Sequence, residues 1–314
     1  MGGRPIESRE MSSFYETHSH IREATNAQQV FKAEQMEDAF NPAKMKLPRE
    51  ACDSVDSPHS RGIILAEDVT GSMGYVLLEL IQNHFPKIIQ KTYDTVSYDP
   101  HIMFMGVGDV ECDDAPLQVT QFETDLRILE QLQKIWLERG GGCNSYESYI
   151  LPWYFAAKHT KMDCFEKRGE KGFLFTFGDE EPTPNIRASD IKKVFGDQDE
   201  LETRMLTSKD CLEMASEKFY CYHIMLHGTN FGSSERRMWK ELMGGHACEL
   251  GNLQYLPELI TTILSMYEGL TKTEAISKIE NENARKAVSQ ALESHEETVV
   301  DEVADTGEAK IEVF

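Results

Sequence analysis

The chain has 314 residues, with 32 Lys+Arg against 54 Asp+Glu and a formal net charge of −22. That sign opposes broad contact with nucleic-acid backbones or anionic membranes and favours metal ions or cationic partners. Hydrophobic residues at 40 % and charged residues at 27 % are globular proportions. No apolar run approaches the roughly 20 residues of a bilayer span. Seven cysteines without a CxxC pair follow a start, MGGRPIESRE, that has no apolar signal core. The expectation is reduced thiols and a cytoplasmic location.

Residues 1–60 are poor in Val and Ile and read as a loosely ordered N-terminal arm, partly helical, able to dock on the main domain. Val30, Phe31 and Phe40 suggest a helix over residues 27–40, ended by Pro42 and Pro48, with DSVDSPHS as a linker. From residue 61 to 269, apolar runs alternate with amphipathic segments. This is the rhythm of a doubly wound, mostly parallel α/β sheet flanked by helices on both faces, a Rossmann-like three-layer sandwich. GIILAE (62–67) reads as a buried central strand, and residues 75–93 as a helix that Pro86 kinks or divides. HIMFMGV (101–107) is a second strand, 117–122 an edge strand, and 125–138 and 149–161 are helices. GFLFTF (172–177) and FYCYHIML (219–226) are further strands, and 256–267 is a closing helix. Residues 270–314 read as a C-terminal helix followed by a disordered acidic tail.

Three segments fall at corresponding places in this rhythm. Asp68-Val69-Thr70-Gly71-Ser72 follows the first strand, Gly140-Gly141-Gly142-Cys143-Asn144-Ser145 separates two helices, and Asp179 follows GFLFTFG. Loops leaving the carboxyl ends of neighbouring parallel strands share one crevice, so Asp68 and Asp179 are expected to meet there. Two carboxylates with the hydroxyls of Thr70 and Ser72 form an all-oxygen set suited to a hard cation such as Mg²⁺ or Mn²⁺. The competing reading is that Asp68, Thr70 and Ser72 only cap the helix that follows.

These segments resemble the metal-ion-dependent adhesion site (MIDAS) of von Willebrand factor A (VWA) domains, over about residues 61–269 and most nearly in the intracellular bacterial and phage type. The resemblance implies a non-enzymatic, divalent-metal-dependent module that coordinates an Asp or Glu of a protein partner, some relatives working beside MoxR-type AAA+ ATPases. The matching metal ligands are Asp68, Thr70, Ser72 and Asp179. At the second loop the pattern's Thr falls on Cys143, a poor ligand for a hard cation. That leaves Asn144, Ser145 or water, with Asn144 the candidate. DVTGS also looks like an aspartyl-phosphate loop, so the alternative is a Mg²⁺-dependent phosphotransferase with Asp68 as nucleophile. Position 70 is not a general-acid Asp, however, and GDEEPTP lacks the further Asp that chemistry uses.

Four acids, Asp109, Glu111, Asp113 and Asp114, read as a solvated loop rather than an extension of the crevice. Cys221, His223 and His227 read as buried strand residues rather than a zinc site, which needs a fourth ligand. Glu147 either contributes to the crevice or serves the first turn of the next helix.

Overall fold

Alternation along the strands builds the layers. A computed structural model describes residues 8–138, 146–196, 201, 204–226 and 232–296, Ser8 and Ser72 without their side chains. Six strands form the main sheet: β1 (Ser60–Asp68), β2 (Asp99–Val107), β3 (Leu117–Val119), β4 (Gly172–Gly178), β5 (Phe219–Leu226) and β6 (Ala247–Leu250). In β1, Ile63 and Leu65 enter one apolar core while Ile64 and Ala66 enter the other. In β4, Phe173, Phe175 and Phe177 face the first core and Leu174 the second. Because successive side chains point to opposite faces, a strand apolar at every position must be covered on both.

The spatial order is β6-β5-β4-β1-β2-β3. All pairs are parallel except β2–β3. The winding reverses between β1 and β4, and this switch point is where a doubly wound sheet opens a crevice at its carboxyl edge. The first face is covered by helices including Gly74–Glu79, Phe85–Thr95, Leu256–Met266 and Glu282–Ala291. The second is covered by Ile150–His159, Ala188–Phe195, Ser208–Ser216 and Ser233–Met243. The expected three-layer α/β sandwich is therefore present. No helix among the described residues is long and apolar enough to cross a membrane.

Pro86 divides its helix as expected. A π-helical segment, Leu80–His84, joins Gly74–Glu79 to Phe85–Thr95, with Pro86 in the first turn of the latter. Other expectations need correction. Instead of a helix over 27–40 there is only a 3-10 turn, Ala27–Gln29. Val30, Phe31 and Phe40 lack helical spacing and bury as separate anchors. A helix forms earlier, at Ser8–Thr17, where Met11, Phe14 and Tyr15 lie at i, i+3 and i+4 and enter the core. The described part of the arm docks on the main domain as expected and is held more firmly than a loose arm: Tyr15 Oη donates to Ile81 O at 2.6 Å, and Gln82 Nε2 donates to Ile21 O at 2.7 Å.

The helix expected over 125–138 shrinks to Arg127–Leu132. Beyond it, the Gln118 side chain on β3 captures the backbone of Trp136, accepting from Trp136 N at 2.9 Å and donating to Trp136 O at 2.8 Å. At the other end of the chain, two helices, Lys272–Ser277 and Glu282–Ala291, replace the single one expected, and Ala284, Val288 and Leu292 join the first core. Residues 297–314, most of the expected acidic tail, lie outside the described residues. Among the described cysteines, 52, 164, 211, 221 and 248 are free thiols. Cys112 is disulfide-bonded, against the expectation of reduced thiols throughout.

Candidate functional site

Asp68 ends β1 at the switch point and is fully buried. Its Oδ1 accepts the Thr70 backbone N–H at 2.8 Å and the Thr70 hydroxyl at 2.6 Å. Its Oδ2 is buried without a hydrogen-bond partner. The capping reading does not describe Asp68 or Thr70. Thr70 and Met73, the residues preceding the 3-10 turn Gly71–Met73 and the helix from Gly74, make no side-chain cap. Ser72 lies in that 3-10 turn, and its side chain lies outside what is described. Asn144, with Gly140–Gly142, Cys143 and Ser145, lies outside the described residues, as does His227.

Asp179, 7 % exposed, follows β4 on the other side of the switch point. Directly after it, Glu181–Pro182 pairs in parallel with Tyr146–Glu147, which places Glu147 at the crevice. Glu147 is buried, and its Oε2 makes no hydrogen bond. Asp109 and Asp113 are also buried, which corrects the expected solvated loop at those two positions, while Glu111 and Asp114 are exposed as expected. Asp113 Oδ2 accepts Asp109 N at 2.6 Å, Ser148 Oγ meets Val110 N at 3.0 Å, and Lys193 Nζ binds Val110 O at 2.8 Å. These bonds fold the loop inward against Tyr146–Ser148 and the helix Ala188–Phe195.

Burial gives this acidic group its electrostatic character. Asp68 is pushed up to about 7, first by burial and then by Asp179 and Glu180, with Thr70's two hydrogen bonds pulling the other way. Glu147 is pushed up to about 10 by burial, with Asp68, Asp113, Asp109 and Glu180 adding to it. Glu67 is raised well above its ordinary value by burial and by Asp68 and Asp179, and neither of its oxygens has a hydrogen-bond partner. Carboxylates gathered in low dielectric repel one another's charge, so each holds its proton more tightly unless a cation is present.

Sequence reasoning missed Glu67, although it is the one charged residue in the run GIILAE (62–67) and that anomaly was visible. It also missed Tyr149 and Trp239, whose approach to the Asp179 loop depends on helix packing. His223 and Cys221 are buried strand residues as expected. The His223 ring stacks on Trp239 at 3.4 Å between centroids, and its Nδ1 lies 2.9 Å from Thr176 Oγ1.

Among the described residues, no three or more His, Cys, Asp or Glu side chains are grouped as ligands of one ion. A site of two Asp and two hydroxyls is not such a group, and the open Oδ2 of Asp68 beside the Thr70 hydroxyl fits a hard cation.

No family model matches the chain, and no curated protein matches it. One similar solved structure is the pilus adhesin SpaC from Lactobacillus rhamnosus GG, 9 % identical with a TM-score of 0.44. The match covers 68 % of this chain and 31 % of the adhesin, so the chain spans about a third of that protein's length. A likeness of that size carries no functional argument.

Proposed function

We propose that the protein is a divalent-metal-dependent protein-binding module of the VWA type, with Asp68, Thr70, Ser72 and Asp179 holding a Mg²⁺ or Mn²⁺ ion and Asn144 as the second-loop candidate. One observation carries the reading. Asp68, Glu67 and Glu147 are buried and electrostatically coupled to one another or to Asp179 at the switch point, and Asp68 Oδ2 has no partner. A buried carboxylate is tolerated when it is protonated or when a cation compensates it. A hydroxyl-rich ligand set leaves net positive charge on the ion, and the bound ion would supply a Lewis-acid position for a carboxylate from outside. The chain's own residues would do the rest. Thr70 orients Asp68 through two hydrogen bonds, and the Glu181–Pro182 pairing holds the third loop beside Tyr146–Glu147. A partner presenting an Asp or Glu would complete the site, and a MoxR-type AAA+ ATPase is the partner class that the resemblance suggests. No reaction is assigned to the site.

The test is thermal unfolding with Mg²⁺, Mn²⁺ or Ca²⁺ added after chelation. A ligand that binds only the folded state stabilises it by about 2.7 kcal/mol at a hundredfold excess over Kd. The expected result is a saturable rise with Mg²⁺ or Mn²⁺ that Asp68→Ala abolishes. Absence of any rise at millimolar metal in the wild type, or an undiminished rise in Asp68→Ala, would refute this ligand set.

A further inference from the structure

Asp179 is constrained by what stands on either side of it. Before it, Gly178 ends β4 where a Cβ would lie 1.7 Å from Tyr149 Oη, so only a glycine lets the strand pass this ring. After it, the indole N–H of Trp239 donates to the carbonyl of Glu180 at 3.1 Å. Trp239 is fully buried and itself held in place. Its ring lies flat on His223 with 3° between planes and edge-on to Tyr149 at 5.3 Å. His223 is in turn fixed by Thr176 on β4, the strand that delivers Asp179. The same helix, Ser233–Met243, makes a second tether where Ser234 Oγ donates to Glu181 Oε1 at 2.9 Å.

We propose that Trp239 is a positioning residue for Asp179. Its N–H fixes the peptide that leaves Glu180, so the helix Ser233–Met243, and not the loop alone, sets where the Asp179 carboxylate points. Loss of a group that orients a metal ligand from behind typically weakens metal affinity about 10- to 100-fold. The inference rests on the metal-binding reading and adds to it a residue far away in sequence.

The experiment titrates the full chain with Mn²⁺ well below its unfolding temperature, following the electron paramagnetic resonance signal of free Mn²⁺. The samples are wild type, Trp239→Phe and Ser234→Ala, and the unfolding midpoint of each is measured separately in chelator. Phe keeps a ring against His223 but removes the donor. The expected result is a Mn²⁺ affinity about 10- to 100-fold weaker in Trp239→Phe. A smaller loss in the same direction is expected in Ser234→Ala, whose exposed site leaves folding undisturbed. A residue that only stabilised the fold would lower the midpoint and leave the affinity of the folded protein unchanged. Wild-type binding with unaltered affinity in both variants overturns the positioning role and leaves the metal site standing. Should Trp239→Phe fail to fold, Ser234→Ala decides alone. No binding by the wild type overturns the metal reading itself, and this inference with it.

Discussion

Glu67 is 3 % exposed, lies opposite Gly106 and Phe177 in the sheet, and has no hydrogen bond at either carboxyl oxygen. Replacing it by leucine, of similar volume, should stabilise the metal-free domain. Burial and the charges of Asp68 and Asp179 raise its pKa well above the ordinary 4.5, so folding favours its neutral form. Each unit by which the folded pKa exceeds the unfolded one lowers stability by about 1.36 kcal/mol once the pH lies above both. The unpartnered neutral carboxyl adds a desolvation cost of about 1–3 kcal/mol. Relaxation around the strand recovers part of these costs, and a net gain above about 1 kcal/mol is expected for Glu67→Leu at pH 7.5. The sign with pH follows from linkage. A raised folded pKa contributes stability that is fully present below 4.5 and is lost as pH rises toward the folded value. The wild type therefore weakens more steeply with rising pH than the variant, which still carries the raised Asp68 and Glu147, and the gap between them narrows toward pH 4.5. Urea denaturation in chelator at four or five pH values between 4.5 and 8 measures this. A variant less stable than wild type at every pH, or a gain that does not grow with pH, would refute the reasoning.

The Tyr149 hydroxyl is buried without a hydrogen-bond partner, so Tyr149→Phe should be neutral or stabilise by up to about 1 kcal/mol, and a loss above 1 kcal/mol in urea melts would show that the hydroxyl is satisfied. Gly178→Ala should cost about 3 kcal/mol or more, because its Cβ meets the enclosed Tyr149 ring, and a near-neutral result would place the ring elsewhere. At the C-terminal end, His295 Nε2 lies 2.7 Å from Tyr222 Oη, and the His295 ring is parallel to His246. Burial first, then His246, lowers the His295 pKa, so the unfolded state binds the proton better, and this docking should weaken as pH falls through about 6.5. Hydrogen-exchange protection factors in Glu282–Ala291, each taken against the intrinsic rate at its own pH, should be lower at pH 5.5 than at 7.5, and Tyr222→Phe should cause a similar loosening already at pH 7.5. Equal protection at both pH values would exclude the histidine contribution.

How much was legible depended on how local the determining physics is. The strands at 62–67, 101–107, 172–177 and 219–226 were readable because residues buried on both faces must be apolar at every position. Asp68, Thr70 and Asp179 were readable because strand ends in a parallel sheet have a known common edge. The helix over 27–40 misled because three apolar residues without helical spacing were given the weight of a stripe. The helix over 125–138 was cut short by one distant side chain, Gln118, which offers the backbone of Trp136 partners that a helix would otherwise supply. The loop at Asp109–Asp114 looked solvated because charge in a sequence says nothing about the lysine that folds it inward, here Lys193.

By itself, then, the sequence determined the layer architecture and the candidate ligand residues on β1 and after β4, since hydrophobic period and strand-end placement are properties of short segments. Only the tertiary structure decided that Glu67, Asp68, Glu147 and Asp179 are buried and coupled, with Tyr149 and Trp239 closing around the last of them. Burial and electrostatic coupling are set by distances between elements far apart in the chain, and those distances exist only once both faces of the sheet have been covered.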